Sequence, residues 1–347
     1  MARITLSDIA AKAGVNVGTV SRVLNGKDKT GRISEELAGR IRALADRLGY
    51  LPNTSARAMQ TGRFNAVALV MSTSEHRSYF PSGLLNGIYD ALAQRGLQLQ
   101  IVKVPDDAFA DPAKTPALFR TRCVDGLLVN YTHRVPDALV RALESYGVPT
   151  IWLNVRQKND AVYTDNLGAG QELTQRLLAL GHCRIAYLST GWSKPDVALL
   201  ADAHYSVRDR LSGYLRAMEK AELPPLVFAH EREQPSFETL QQLITTWMVR
   251  EKPSAIIGYW ITSFAPLVRV LWRTRTRVPE DVSLCCFAGE SMPGGALRIS
   301  GLVEPEYDLG CRAVELLTQK IRSRRKSLPS ERLLMHWIDF GTCLQCV

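Results

Sequence analysis

Two periodicities divide this chain near residue 64, and the second of them fixes most of the fold. Beyond that point short apolar runs alternate with amphipathic stretches of helical period. The strand-like runs are 66–71, 97–102, 126–129, 149–153, 184–188, 226–229, 255–258 and 282–287, with helical patterns such as 82–94, 168–180, 208–220 and 307–321 between them. Successive parallel strands need a crossover connection, which a helix supplies, so this alternation predicts parallel sheets of the doubly wound type. Eight strands fit two such subdomains facing a cleft.

The first sixty residues obey a different pattern. Thr5 followed by Asp8 reads as a capping box, and Leu6, Ile9, Ala10 and Ala13 then recur at helical spacing until Gly14. A short turn, Gly14-Val15-Asn16, leads to a second helix from Val17 to Asn25, with Val20, Val23 and Leu24 inward. A third helix over 34–48 sets Leu37, Ile41, Leu44, Ala45 and Leu48 on one stripe. Two short helices about a tight turn, with a packing helix behind them, predict an all-α helix-turn-helix domain over 1–50.

Charge is distributed to match. Residues 1–63 hold eleven Lys/Arg against five Asp/Glu, a net +6 of the chain's +9, leaving +3 for the other 284 residues. A basic head on a nearly neutral body suits a polyanion, because cationic side chains displace counterions from phosphates. In a helix-turn-helix the second helix enters the major groove and its N-terminal outward residues reach base edges. Those are Val17, Gly18 and Arg22: apolar contact to a thymine methyl, close backbone approach, and a fork for guanine. Thr5, Asn16, Thr19, Ser21 and Asn25 are short hydrogen-bonding residues at the helix ends, suited to phosphates. A second basic run, Lys320-Ile321-Arg322-Ser323-Arg324-Arg325-Lys326, ends a predicted helix, where cations suit the helix dipole and an exposed loop.

Thr5-Leu6-Ser7-Asp8-Ile9-Ala10-Ala11-Lys12-Ala13-Gly14-Val15 and Gly18-Thr19-Val20-Ser21-Arg22-Val23-Leu24-Asn25-Gly26 resemble the N-terminal signature of the LacI/GalR family of bacterial transcription regulators. Leu48-Gly49-Tyr50-Leu51-Pro52-Asn53, Ala56-Arg57-Ala58-Met59 and Thr61-Gly62-Arg63 resemble the family's hinge. The resemblance continues in Thr164-Asp165-Asn166, Leu180-Gly181-His182, Arg210-Leu211-Ser212-Gly213-Tyr214, Val278-Pro279-Glu280-Asp281-Val282 and Glu306-Tyr307-Asp308-Leu309-Gly310. It implies a hinge over 51–63 and an effector-binding, dimerising core over 64–347 that resembles periplasmic binding proteins. The chain would cross between subdomains three times, with subdomain 1 at about 64–162 and 291–322, and subdomain 2 at about 163–290 and 323–347. The resemblance adds Tyr50 and Asn53 as backbone contacts. It places Ala56 and Met59 in the minor groove at the operator centre, where Met59 stands at a position usually held by leucine; an apolar wedge there unstacks bases and bends the duplex.

For the effector the resemblance implicates Arg210, Tyr79, Phe80, Asp165 and Trp260. Here the sequence departs from its family. Tyr259-Trp260-Ile261-Thr262 stands where an Asn-Asp pair is usual, and Phe287-Ala288-Gly289 where Phe-Asp-Asp is usual. The cleft is therefore expected to be more aromatic and less acidic than that of a sugar-responsive member. An acidic or more apolar effector, or none, is expected, unless Tyr259 and Trp260 merely fill core space.

Other chemistry finds little support. Gly168-Ala169-Gly170 opens a helix but lacks a third Gly, and Tyr163-Thr164-Asp165-Asn166 is a poor preceding strand, so a dinucleotide fingerprint is not expected. None of the six His has HxxxH or HExxH spacing, and no G-x-S-x-G elbow occurs. The seven Cys are odd in number and scattered, which argues for free thiols; Cys343 and Cys346 form a CxxC in what reads as a frayed tail, without partners for a metal. No cofactor or metal is expected. No apolar run reaches the ~18 residues of a membrane span, and the first eight residues lack a signal-peptide core, so no membrane association and a cytoplasmic location are expected. Three functions remain open: an effector-responsive regulator acting as a homodimer on a near-palindromic DNA operator, a solute receptor with a vestigial head, and an α/β enzyme carrying a DNA-binding head. Fold alone licenses no chemistry for the third.

Overall fold

The computed structural model describes residues 4–25, 32–51, 62–74, 77–105, 107–108, 114–121, 123–132, 135–189, 203–228, 235–290 and 298–346. They belong to two compact units, Met1–Phe64 and Asn65–Val347.

Among the described residues the first unit holds three helices: α1 (Leu6–Ala13), α2 (Val17–Leu24) and α3 (Glu35–Arg47). Thr5 caps α1 in a reciprocal capping box with Asp8, whose carboxyl the Thr5 hydrogen bonds hold below its usual pKa. Gly14 closes the helix in the left-handed region at φ 68°, where glycine lacks the Cβ clash. Ile9, Val20 and Ile41, one from each helix, are fully buried and form the centre of the small core.

The second unit follows in chain order as β1 (Ala66–Ser72), α4 (Ser82–Ala93), β2 (Gln98–Val104), α5 (Ala117–Arg120), β3 (Gly126–Asn130), α6 (Asp137–Tyr146), β4 (Thr150–Leu153) and β5 (Ala161–Thr164). It continues with α7 (Asn166–Ala179), β6 (Ile185–Leu188), α8 (Tyr205–Lys220), β7 (Leu226–Val227), α9 (Phe237–Glu251), β8 (Ala255–Gly258), α10 (Phe264–Thr274), β9 (Ser283–Gly289), β10 (Ser300–Glu304), α11 (Glu306–Ser323), β11 (Glu331–Leu333) and β12 (His336–Ile338). Two six-stranded sheets result, in the orders β11-β5-β4-β3-β1-β2 and β12-β10-β9-β8-β6-β7. Among the described strands all pairings are parallel except β10 with β12. Every residue of β1, β3, β6, β8 and β9 is buried, as strands covered on both faces must be. Helices α4 and α11 cover the first sheet through Leu84, Ile88, Val314 and Leu317. The second sheet is sandwiched between α7 and α8 on one face and α9 and α10 on the other.

The chain crosses between the sheets three times, at 164–166, 304–306 and 333–336. Two of the expected subdomain boundaries are therefore corrected. The 300–304 strand lies in the second sheet beside β9, not in subdomain 1, and the 331–333 strand lies in the first sheet beside β5, not in subdomain 2. Sheet membership is set by hydrogen-bonding partners distant in sequence, which apolar patterning cannot report. The stretch before Asp165, read as a poor strand, is β5. The tail is also pinned, not frayed: the Leu284 N–H donates to Thr342 O at 2.8 Å, Leu344 N–H to Ser283 Oγ at 3.0 Å and Cys346 N–H to Leu180 O at 2.8 Å.

Candidate functional site: a base-reading helix and a cleft centred on Arg210

In the first unit, α2 is fixed by its own cap. Asn16 Oδ1 accepts from the Thr19 N–H at 2.7 Å and from the Thr19 hydroxyl at 3.0 Å. Val20 and Val23 are buried, which turns Val17, Gly18 and Arg22 outward. Val17 is 43% exposed, unusual for a valine in a small domain short of core. A Cβ on Gly18 would stand 3.3 Å from Asn16 Oδ1, so a side chain there would crowd the cap. The Arg22 guanidinium donates to Gly18 O at 3.3 Å along the helix, leaving most of its fork outward. Asn25 Nδ2 donates to Ser21 O at 2.8 Å, Thr5 and Asn16 are caps, and half-buried Tyr50 packs on the helical core. Asn53, Ala56 and Met59 lie outside the described residues.

In the second unit, Arg210 is only 1% exposed and sits where the chain crosses between sheets. Its Nε donates to Asn166 Oδ1 at 2.7 Å and its Nη1 to Tyr259 O at 3.1 Å, while Nη2 pairs directly with Glu304. Its carbon centre lies 4.4 Å from the Phe287 ring and 5.3 Å from those of Tyr259 and Trp260. Burial raises the Glu304 pKa and the Arg210 charge works against that rise. An arginine this buried requires such a carboxylate, since an isolated charge in the interior is costly.

The Gly168-Ala169-Gly170 segment serves this arrangement. Asp165 caps α7, accepting from the Gly168 N–H at 3.0 Å. A Cβ on Gly170 would run into the Arg210 backbone, and one on Gly213 into Leu167 O and the Gly170 backbone. The two glycines let α7 and α8 pack backbone to backbone, which delivers Arg210 to its partners. They cradle a helix, not a phosphate.

The cleft residues expected from the sequence do not all lie together. Tyr79, before α4, and Trp260, after β8, meet edge to face with centroids 6.1 Å apart. Phe80 packs into the core of the first sheet instead. Asp165 is occupied as a cap and pairs with Arg332 at 3.3 Å. Further polar contacts join the two sides: Tyr205 hydroxyl to Asn154 Oδ1 at 2.8 Å, His204 Nε2 with Asn154 O at 3.0 Å, and Arg156 with Asp209 at 2.7 Å.

No carboxylate stands at Ala288, but Glu304 and Glu306, both buried, supply the acidity from the end of β10 and the start of α11. Burial and these two carboxylates raise the Tyr79 phenol pKa. The sequence reading missed Glu304; its signal was an acid closing an apolar run directly before Pro305.

Helix-turn-helix head, two crossed-over parallel sheets and a polar cleft between them define a DNA-binding regulator with a ligand-binding core. Comparison with known proteins agrees. Residues 5–53 match the model for bacterial regulatory proteins of the lacI family, and residues 174–343 match a periplasmic binding protein-like domain. The chain is 31% identical to the HTH-type transcriptional regulator RafR of Escherichia coli over 241 residues, covering 64% of this chain and 70% of RafR. It is 24% identical to the ribose operon repressor of Escherichia coli K12 over 339 residues, 95% of this chain and 96% of that one. The solved lac repressor dimer, bound to operator and the anti-inducer ONPF, superposes with a TM-score of 0.74 over 99% of this chain and all of that chain at 21% identity. The chain belongs to the lacI family of bacterial regulatory proteins.

Proposed function

We propose that this protein is a homodimeric repressor that reads a near-palindromic operator through α2 and is modulated by a small molecule in the cleft beside Arg210. The observation carrying the DNA reading is the outward trio Val17, Gly18 and Arg22 on a capped helix in a head of net +6. Val17 supplies apolar base contact, Gly18 close approach, and Arg22 a bidentate fork for guanine; Thr5, Asn16, Thr19, Ser21, Asn25, Tyr50 and Asn53 contact the backbone. Ala56 and Met59 enter the minor groove at the operator centre. Two copies explain a palindrome, because a two-fold protein reads two inverted half-sites. Half-exposed Ile101 on edge strand β2 and exposed Tyr89 on α4 offer apolar surface for the second copy. The working location is the cytoplasm.

Glu304 already neutralises Arg210, which removes the positive charge an acidic effector would need. A neutral polar ligand set against Tyr79 and Trp260 fits this cleft better.

Selection of bound sequences from a randomised duplex pool tests the proposal. Enrichment of two inverted half-sites, lost on Arg22→Ala, is expected. A pool that stays random after repeated rounds would leave a solute receptor with an inert head as the reading.

A further inference from the structure

The basic run ending α11 has a structural setting that helix-dipole compensation does not explain. A groove of about 950 Å3 opens between α6, the start of β4, the 157–160 loop and the segment after α11. Trp152, Leu143 and Ile321 form its apolar wall, and Lys158, Arg324, Arg325 and Lys326 its rim. Lys320, the cation best placed for the α11 dipole, is spent inside: its Nζ pairs with Asp160 at 2.9 Å and donates to Thr150 O at 3.2 Å. The four rim cations are exposed and make no ion pair among the described residues. Glu144 alone opposes them once Lys320 and Asp160 cancel, so the rim carries a net +3.

The rim is built, not frayed. Arg324 turns the chain in the left-handed region at φ 54°. The 157–160 loop is then stitched to 328–330, with Asp160 N–H donating to Leu328 O at 2.8 Å and Ser330 N–H to Lys158 O at 3.1 Å. Its place in the fold is informative. Ala68, Leu127 and Thr150 are in register across β1, β3 and β4, which puts the groove's Thr150 two strand spacings, about 10 Å, from β1. The chain from the DNA-binding head enters the core at that end of β1, through Asn65. A rim of net +3 therefore stands beside the start of β1, where the chain enters the core.

We infer that this groove binds the phosphate backbone of duplex DNA flanking the operator. The inference rests on the DNA-binding reading above and extends the footprint beyond the head. Each phosphate neutralised by Lys or Arg contributes about 0.9 to the slope of log affinity against log salt, whatever the base sequence.

The test uses full-length protein and a selected operator, once as a duplex of about 20 base pairs and once at the centre of a duplex of about 50, with affinity measured across a salt series. Wild type, a dimer with one groove over each flank, is expected to bind the longer duplex more tightly and with a salt slope steeper by about 4 to 7. Combined Lys158→Ala, Arg324→Ala, Arg325→Ala and Lys326→Ala is expected to abolish that gain while leaving the short duplex unchanged, which also reports an intact fold. Lys158→Ala alone, which removes one cation from each groove of the dimer, is expected to lower the long-duplex slope by about 2. Equal affinity and slope on both lengths in wild type, or an equal loss on both lengths in the variants, would overturn the groove assignment. Preference for the operator over unrelated short duplexes would still stand in that event, whereas its absence would fail the DNA reading itself.

Discussion

Arg210 shares its guanidinium among Asn166, Tyr259, Glu304 and three aromatic rings, and this one side chain ties α8 to β10 and to the start of α7. Glu304→Leu alone strands a buried cation and is expected to cost about 3–5 kcal/mol in denaturant unfolding. Adding Arg210→Met should recover much of that loss, because the pair then leaves together; additive losses would show that the two charges are not coupled. On the DNA side, Arg22→Ala is expected to cost roughly 1–3 kcal/mol on the operator, with a much smaller loss on unrelated duplex. Equal losses would make Arg22 a phosphate contact. His182 carries a pH dependence. It is 4% exposed, accepts or donates to Ser254 and Ser283, and reaches Leu344 O at 3.0 Å, so burial lowers its pKa below 6.5. The folded state thus holds the neutral ring, and its contribution is complete above pH 6.5 and lost as pH falls through the lowered value. Unfolding of His182→Gln followed between pH 7 and 5 should show a shallower decline than wild type; identical slopes would place the titration elsewhere.

At the scale of elements, what the sequence discloses depends on how local the cause is. Helices α1 to α3 were legible because capping, period and stop signals all lie within them. The fully buried strands β1, β3, β8 and β9 were legible as apolar runs. Strands β11 and β12, three residues each and half exposed, carry no such run and exist because β5 and β10 offer edges to pair with. The cleft was legible only in part for the same reason: Arg210, Tyr79 and Trp260 could be matched, but Glu304 becomes the arginine's partner only through a crossover 94 residues later. The close approach of α7 and α8 yields a prediction at this scale. Gly170→Val must push the helices apart, since its Cβ would meet the Arg210 backbone, and overpacking of this kind costs about 1–3 kcal/mol or more. Thermal unfolding should show the loss, while the isolated α1–α3 contacts are untouched; a variant as stable as wild type would mean that the helices are not in backbone contact.

At the scale of the whole molecule, the charge asymmetry gives the division of labour: a head of net +6 in 63 residues, and a nearly neutral core of two crossed-over sheets around a buried ion pair. Among the described residues no helix is long and apolar enough to cross a membrane. A ligand in the cleft can act on DNA binding only through unequal affinity for two arrangements of the core. Regulation at an operator requires sequence discrimination by the head. The direct measurement is an anisotropy titration of the full-length protein, at one fixed near-physiological salt, against the selected operator and a scrambled duplex of the same length and composition. An affinity ratio of about 10³ or more in favour of the operator is the predicted result; a ratio near one would contradict the assignment of α2 as a base-reading helix.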